Sequence, residues 1–189
     1  IYIGLDSTPA GRAGEFPANE LTASLNKVGI KTGRLKTGTT PRIDRRTVDF
    51  SKMQIEPGMQ EKKYFSFDTK GDSRQQLPCY LTKTNKKSHQ IILNNLDRSP
   101  LYQGIINAIG PRYCPSIEDK VVRFKDKDSH HLFIEPEGYD TNELYVQGFA
   151  TSLPYDVQLK VLRTIPGLEN VEIMRPGYAI AYDFVFPEQ

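Results

Sequence analysis

Two short runs of strand-forming residues lie at opposite ends of this sequence, and they constrain its fold more than any other feature. Ile1–Leu5 (IYIGL) reads as a strand already under way, and Tyr178–Phe186 (YAIAYDFVF) reads as another just before the last residues. Domain boundaries normally fall in exposed polar linkers, not in strands. The two runs therefore predict sheet edges that pair with chain outside this sequence, as in an excerpt of a larger protein.

Between them the apolar spacing alternates between helix and strand. Residues 19–28 predict a helix, with Leu21, Leu25 and Val28 at i, i+4, i+7 and Gly29 as its stop. Lys31–Arg46 holds six basic residues against one acid, and Gly33, Gly38 and Pro41 predict a loop without regular structure. Residues 51–76 are polar apart from Tyr64, Phe65 and Phe67, and predict a loop with one strand. Leu77–Thr82 predicts a strand. Ser88–Leu96 predicts a helix with Ile91, Ile92 and Leu96 inward. Ser99 and Pro100 read as the N-cap and first position of another helix, which would bury Ile105, Ile106 and Ile109 and end at Gly110. Val121–Phe124 and His131–Glu135 predict a hairpin around the charged turn Lys125–Asp128, and Glu143–Phe149 a further strand. Ser152–Ile165 predicts a helix with Val157, Val161, Leu162 and Ile165 inward, closed by Pro166 and Gly167. The sum is a mixed α/β fold with no internal repeat.

Composition narrows the class. At 38% hydrophobic the chain is lean for a self-contained core, yet 10% aromatic content and patterned apolar runs exclude disorder. A net charge of +2 selects no class of partner. No apolar run approaches the roughly 20 residues of a membrane span, and no signal-peptide pattern is present. Cys79 and Cys114 lie 35 positions apart with no CxxC. That spacing fits a reducing, cytoplasmic compartment and excludes a disulfide scaffold or a structural zinc site.

Two segments can carry chemistry. In Gly110–Phe124 (GPRYCPSIEDKVVRF), Pro115 can open a short helical turn with Ser116, Glu118 and Asp119 near its N-terminus. Cys114 then faces unpaired backbone N–H groups, a setting that favours thiolate; Arg112 adds to this, while Glu118 and Asp119 oppose it. On these residues alone an inert packing thiol is the preferred reading of Cys114, and more so of Cys79, which lies inside an apolar strand. In Arg34–Arg42 (RLKTGTTPR), Gly38 allows close backbone approach, Thr37, Thr39 and Thr40 offer hydroxyls, and Arg34, Lys36 and Arg42 offer charge. That set suits a phosphate of a nucleotide or nucleic acid, although no Walker P-loop pattern is present; a solvated basic loop fits equally well. His130 and His131 are adjacent on a strand, point to opposite faces and cannot chelate one metal together. Glu135 and Glu137 suit a solvated turn better than acid–base work. Tyr113, Tyr178 and Tyr182 read as half-buried strand aromatics before ring-stacking groups.

Residue by residue the chain resembles the GidA/MnmG family of flavin-dependent enzymes that modify the wobble uridine of tRNA. The matching motifs are IYIGL, AGRAGE, GRLKTGTTPRID, LPCYLTKTN, NLDRSPLY, GPRYCPSIEDKVVRF, FIEPEG, TSLPYDVQ and MRPGYAIAYDF, in fixed order over nearly the whole sequence. One departure is Thr40, where the family's run has Pro.

The resemblance implies a central fragment of an FAD- and NADH-dependent enzyme that adds a carboxymethylaminomethyl group at carbon five of the uridine. It implies flanking strands of a glutathione-reductase-like FAD-binding domain around an inserted α+β domain. Residues 1–34 would end one FAD-domain stretch, 35–136 would form the NAD(H)-associated insertion, and 137–189 would return. The FAD pyrophosphate site would lie upstream, since no GxGxxG occurs here. Partners implied are tRNA, the GTPase MnmE through regions outside this sequence, and a second copy in a homodimer. Cys114 inherits a catalytic role. The cofactor-binding role falls on Gly110, Pro111, Arg112, Tyr113, Cys114, Pro115, Ser116, Ile117, Glu118, Asp119, Lys120, Val121, Val122, Arg123 and Phe124, joined by Arg34, Lys36, Thr37 and Gly38. A different class of reading is a stand-alone RNA- or nucleotide-binding module built on residues 31–46.

Overall fold

The computed structural model describes residues 1–59, 61, 63–71 and 74–189. In chain order the elements are β1 (Tyr2–Ile3), β2 (Asp6–Ser7), α1 (Asn19–Lys27), β3 (Thr32–Thr39), β4 (Arg42–Asp44), β5 (Gln54–Glu56) and β6 (Cys79–Lys83). They continue with α2 (Lys86–Leu93), α3 (Ile117–Arg123), β7 (His131–Pro136), β8 (Glu143–Gln147), α4 (Tyr155–Leu162), β9 (Ile173–Arg175) and β10 (Tyr178–Val185). The mixed α/β expectation holds. One sheet has the order β2-β1-β10-β3 and the other β5-β6-β7-β8-β4-β9.

The core lies where the second sheet meets α2, α3 and α4. Alternation along β7 and β8 sends Leu132, Ile134, Leu144 and Val146 to one face, where all four are buried. They pack with Ile92 of α2, Ile117 and Val121 of α3, and Val157, Val161 and Leu162 of α4. Truncating one such side chain to Ala removes about 2–5 kcal/mol.

Several expectations are corrected. The terminal runs meet each other at Tyr2 and Ala179, and among the described residues no strand pairs with the rest of β10 along that edge. Lys31–Arg46 is not a loop: β3 pairs with β10 through eight residues, from Thr32 opposite Val185 to Thr39 opposite Tyr178. Gly33 does not break the strand. It makes room for the Phe184 ring, which a Cβ there would meet at 2.6 Å. Pro41 then marks the step from the first sheet into β4 of the second.

The helix expected from Ser99 stops after one turn. Ile105 and Ile106 both donate to the Pro100 carbonyl, and Gly104 sits at φ 67°. The chain then runs alongside β3, where Lys36 N–H donates to Ile109 O at 2.7 Å. Tertiary pairing outweighs the local cap signal, leaving Ile109 exposed and only Ile106 of the three isoleucines buried.

Val121–Phe124 is no strand either. A capping box starts α3: Ser116 Oγ accepts from Asp119 N–H at 3.2 Å, and Asp119 Oδ2 accepts from Ser116 N–H at 3.1 Å. Ile117 and Val121 then fall one helical turn apart on the buried side. The charged turn after Phe124 therefore joins a helix to β7. The long helix expected at Ser152–Ile165 is the shorter α4, which starts after Pro154 and ends at Leu162; it buries Val157, Val161 and Leu162, and Ile165 is buried just beyond its end. Leu21 and Val28 of the first predicted helix are exposed.

Candidate active site

The two segments singled out by sequence meet in space. Lys36, Thr37 and Gly38 of β3 line a crevice of about 30 Å³ together with Cys114, Ser116 and the loop Ala150–Ser152. Thr37 Oγ1 lies 3.8 Å from Cys114 Sγ, although 77 positions separate the two residues. Cys114 is exposed, whereas Cys79 is half-buried and has its proton affinity raised by burial and by the nearby Glu135 and Glu56.

Backbone bonds on both sides fix the cysteine. Upstream, Ile109 is bridged to Leu35 and bonded to Lys36 N–H. Downstream, Ile117 N–H donates to Ala150 O at 2.7 Å. Cys114 therefore stands two residues before the cap Ser116, between two anchored points.

Beneath the crevice Glu118 is fully buried, and burial raises its proton affinity. One carboxyl oxygen accepts from Ser152 N–H at 3.3 Å, and the other has no hydrogen-bond partner among the described residues. Lys120 Nζ donates to Gly148 O at 2.9 Å. Burial lowers the proton affinity of Lys120, and the facing Cys114 acts in the opposite direction. Tyr102 donates to Asp119, and burial, followed by the Asp119 charge, pushes its phenol up to about 12.

The remaining residues expected at the site divide into groups. Gly110, Pro111, Arg112, Tyr113 and Pro115 form the outer strip, with Pro111, Arg112 and Tyr113 exposed. Arg123 reaches over the Tyr113 ring at 5.9 Å. Ile117, Glu118 and Val121 are buried, and Val122 and Phe124 lie farther along the same helix and its end. Arg34 is not at the crevice. It forms a 2.6 Å ion pair with Asp183 and lines a separate cavity of about 720 Å³ between α1 and the first sheet. Arg42 pairs with Glu137 at 2.6 Å, donates to Thr39 and Thr40, and stacks over Tyr145.

Sequence reasoning missed the crevice wall formed by Ala150, Thr151 and Ser152. Gln158, fully buried on α4, braces that region. Its Nε2 donates to Leu153 O at 2.7 Å and Gly177 O at 2.9 Å, and its Oε1 accepts from Gly177 N–H at 2.7 Å. The only signal in the sequence is the small, hydroxyl-bearing run ahead of a helix. Thr40 gains a definite role, since its buried hydroxyl donates to Val146 O at 2.5 Å, a bond that proline cannot make.

Fold and crevice together define a mixed α/β chain that presents one exposed thiol beside the junction of two antiparallel sheets. The family model described as glucose inhibited division protein A matches residues 1–189, and the chain belongs to that family. Two relatives named tRNA uridine 5-carboxymethylaminomethyl modification enzyme MnmG are 63% identical (Thermodesulfovibrio yellowstonii) and 60% identical (Syntrophomonas wolfei) over 189 residues. The match covers 100% of this chain and 30% of each relative, so the chain spans under a third of their length. The solved structure of Aquifex aeolicus GidA in its form I crystal superimposes with a TM-score of 0.88 at 48% identity, covering 98% of this chain and 32% of that one.

Proposed function

We propose that this chain supplies the thiol-bearing part of the active site of an enzyme that adds a carboxymethylaminomethyl group at carbon five of the tRNA wobble uridine. The observation that carries the reading is the exposed Cys114, held between two backbone anchors at the crevice where β3 meets the Ala150–Ser152 loop. The relatives' shared name supports the substrate and the reaction.

In this reading the Cys114 sulfur, as thiolate, adds to the uridine ring carbon next to carbon five. The electron pair so displaced makes carbon five nucleophilic. That electron pair bonds to an electrophilic one-carbon unit, the carbon-five proton passes to a base, and the electrons it leaves expel the sulfur as thiolate and restore the ring double bond. Exposure of Cys114 and Tyr113 lets a flat ring approach from the solvent side. Arg112 and Lys36 are the cations offered to phosphate.

FAD and NADH belong to the proposal as the source of redox and carbon-transfer chemistry when bound. A crevice of about 30 Å³ admits a single small group and not a dinucleotide, so no step here runs through either cofactor. The glutathione-reductase-like plan, with 35–136 as the insertion, also remains a proposal. The pairing of β7 with β8 places the 136/137 boundary inside a hairpin. The tRNA, MnmE and homodimer partners and a cytoplasmic setting are proposed on the same footing; among the described residues no helix is long and apolar enough to cross a membrane.

The alternative of a binding module on residues 31–46 loses support because Arg34, Arg42 and Arg46 are engaged by Asp183, Glu137 and Asp44. The test is Cys114→Ser in the full-length protein that carries this sequence. Mass analysis of the tRNA nucleosides should show loss of the modification with the flavin absorbance retained. Continued modification would remove Cys114 from the chemistry.

A further inference from the structure

The geometry points to Thr37 as the positioning residue for the Cys114 sulfur, rather than as a phosphate contact. The inference rests on the proposed role of Cys114. Three observations support it. Thr37 Oγ1 stands 3.8 Å from Cys114 Sγ, within reach of a hydrogen bond to the large sulfur atom. That distance is set by backbone on both sides: Thr37 is locked opposite Ile180 in the β3–β10 ladder, and the incoming segment is tied to β3 at Ile109. The cation acting on the sulfur, Lys120, has its ammonium bonded to Gly148 O, so among the described residues Thr37 supplies the directed contact and Lys120 only charge.

A threonine here offers more than strand propensity. Its β-branch restricts χ1, so the hydroxyl is presented to the sulfur in few orientations. Donation to the thiolate aims the sulfur along the crevice mouth, where a ring carbon can meet it. Thr37 does not itself touch the reacting carbon. Val at this position would keep the shape and the strand preference but lose the hydroxyl. Ser would keep the hydroxyl and lose the methyl group.

The two substitutions separate a hydrogen-bonding role from a packing role because they predict opposite orders. Full-length wild type, Thr37→Val and Thr37→Ser are each alkylated with iodoacetamide at pH 7, and the tryptic peptide Tyr113–Lys120, which contains Cys114 and excludes Cys79, is followed by mass spectrometry. The expected result is Thr37→Ser within about twofold of wild type and Thr37→Val slower by about fivefold or more, the factor for one hydrogen bond of ordinary net strength. Equal rates for all three, or a slower Ser variant beside a normal Val variant, would overturn the assignment. Circular dichroism identifies a variant that fails to fold, and in that event the surviving substitution compared with wild type still decides: a normal rate for Val refutes the inference, as does a slowed rate for Ser. The assay uses no tRNA, so its failure leaves the proposed reaction standing; loss of the proposed reaction would show in the Cys114→Ser nucleoside assay instead.

Discussion

Replacing Gln158 by Leu should be among the most damaging single changes to this fold, although the two side chains have similar volume. The glutamine amide closes three buried hydrogen bonds, to Leu153 O, to Gly177 O and from Gly177 N–H. Leu in its place strands two carbonyls and one N–H away from water. Each stranded group costs about 1–3 kcal/mol, and partial relaxation leaves an expected net loss of about 3–5 kcal/mol. That is a large share of the 5–15 kcal/mol typical of a domain. The chain has no tryptophan, so urea unfolding is followed by far-ultraviolet circular dichroism. With a slope of about 1–3 kcal/mol per molar, the midpoint should fall by more than 1 M. Gln158→Glu sharpens the test. Its carboxylate can accept from Gly177 N–H but turns a second acceptor toward two carbonyls, whereas the protonated carboxyl regains one donor. The folded-state affinity for that proton is therefore raised, and stability added by protonation is lost as pH rises. A loss below about 1 kcal/mol for the Leu variant, with no pH trend for the Glu variant, would refute the reasoning.

Two further outcomes are expected. The rings of His89 and His130 lie tilted with centroids 5.2 Å apart, and burial lowers the proton affinity of both, with the charges of His89, Lys120 and Lys127 also lowering it at His130 and Asp128 opposing at His89. The unfolded chain then binds protons that the folded chain refuses, so their contribution to stability should fall as pH drops below the ordinary histidine value of about 6.5. Urea midpoints between pH 7.5 and 5.5 should fall less in His130→Gln than in wild type, and equal slopes would exclude His130 as a source. Gly148→Ala should cost more than about 1 kcal/mol by thermal or urea melting, because φ is 95° and the new Cβ would lie 2.9 Å from His131 O. An unchanged midpoint would show that the β7–β8 region yields more easily than its geometry implies.

Periodicity found the elements that pack against one another. Leu132, Ile134, Val157, Val161 and Ile165 fell where their spacing put them, because burial of one face leaves a strong signal. It failed where a distant partner decided the local structure. Gly33 and Gly38 looked like breakers because the Phe184 ring over Gly33 and the ladder to β10 are 140 or more positions away along the chain. Ser99 and Pro100 looked like a helix start, but the pairing of Ile109 with β3 competes for the same residues. Cys114 and Thr37 could each be named from their motifs. Their proximity could not, since it depends on the crossing of two segments that carry no mark of one another. The Ala150–Ser152 wall left still less trace, since small residues signal neither burial nor chemistry.

The bond from Thr40 to Val146 O has a mechanical consequence. It sits at the splice where the chain leaves the first sheet for the second, beside the Thr151 N–H bond to Thr39 O. Together these act as a rivet on the inner rim of the crevice. The inner rim therefore cannot yield to an incoming ring without unpairing a buried hydroxyl. The outer rim, Gly110–Cys114, has its backbone bonds to the sheet and the Ala150 loop beyond its two ends, like a strap between two buckles, and Thr37 touches it at the sulfur. Any widening of the crevice must come from the strap between those two points rather than from the riveted rim. The Cys114 sulfur thus lies on the more yielding side of the crevice, steadied there by its contact with Thr37, and the opposite rim is rigid.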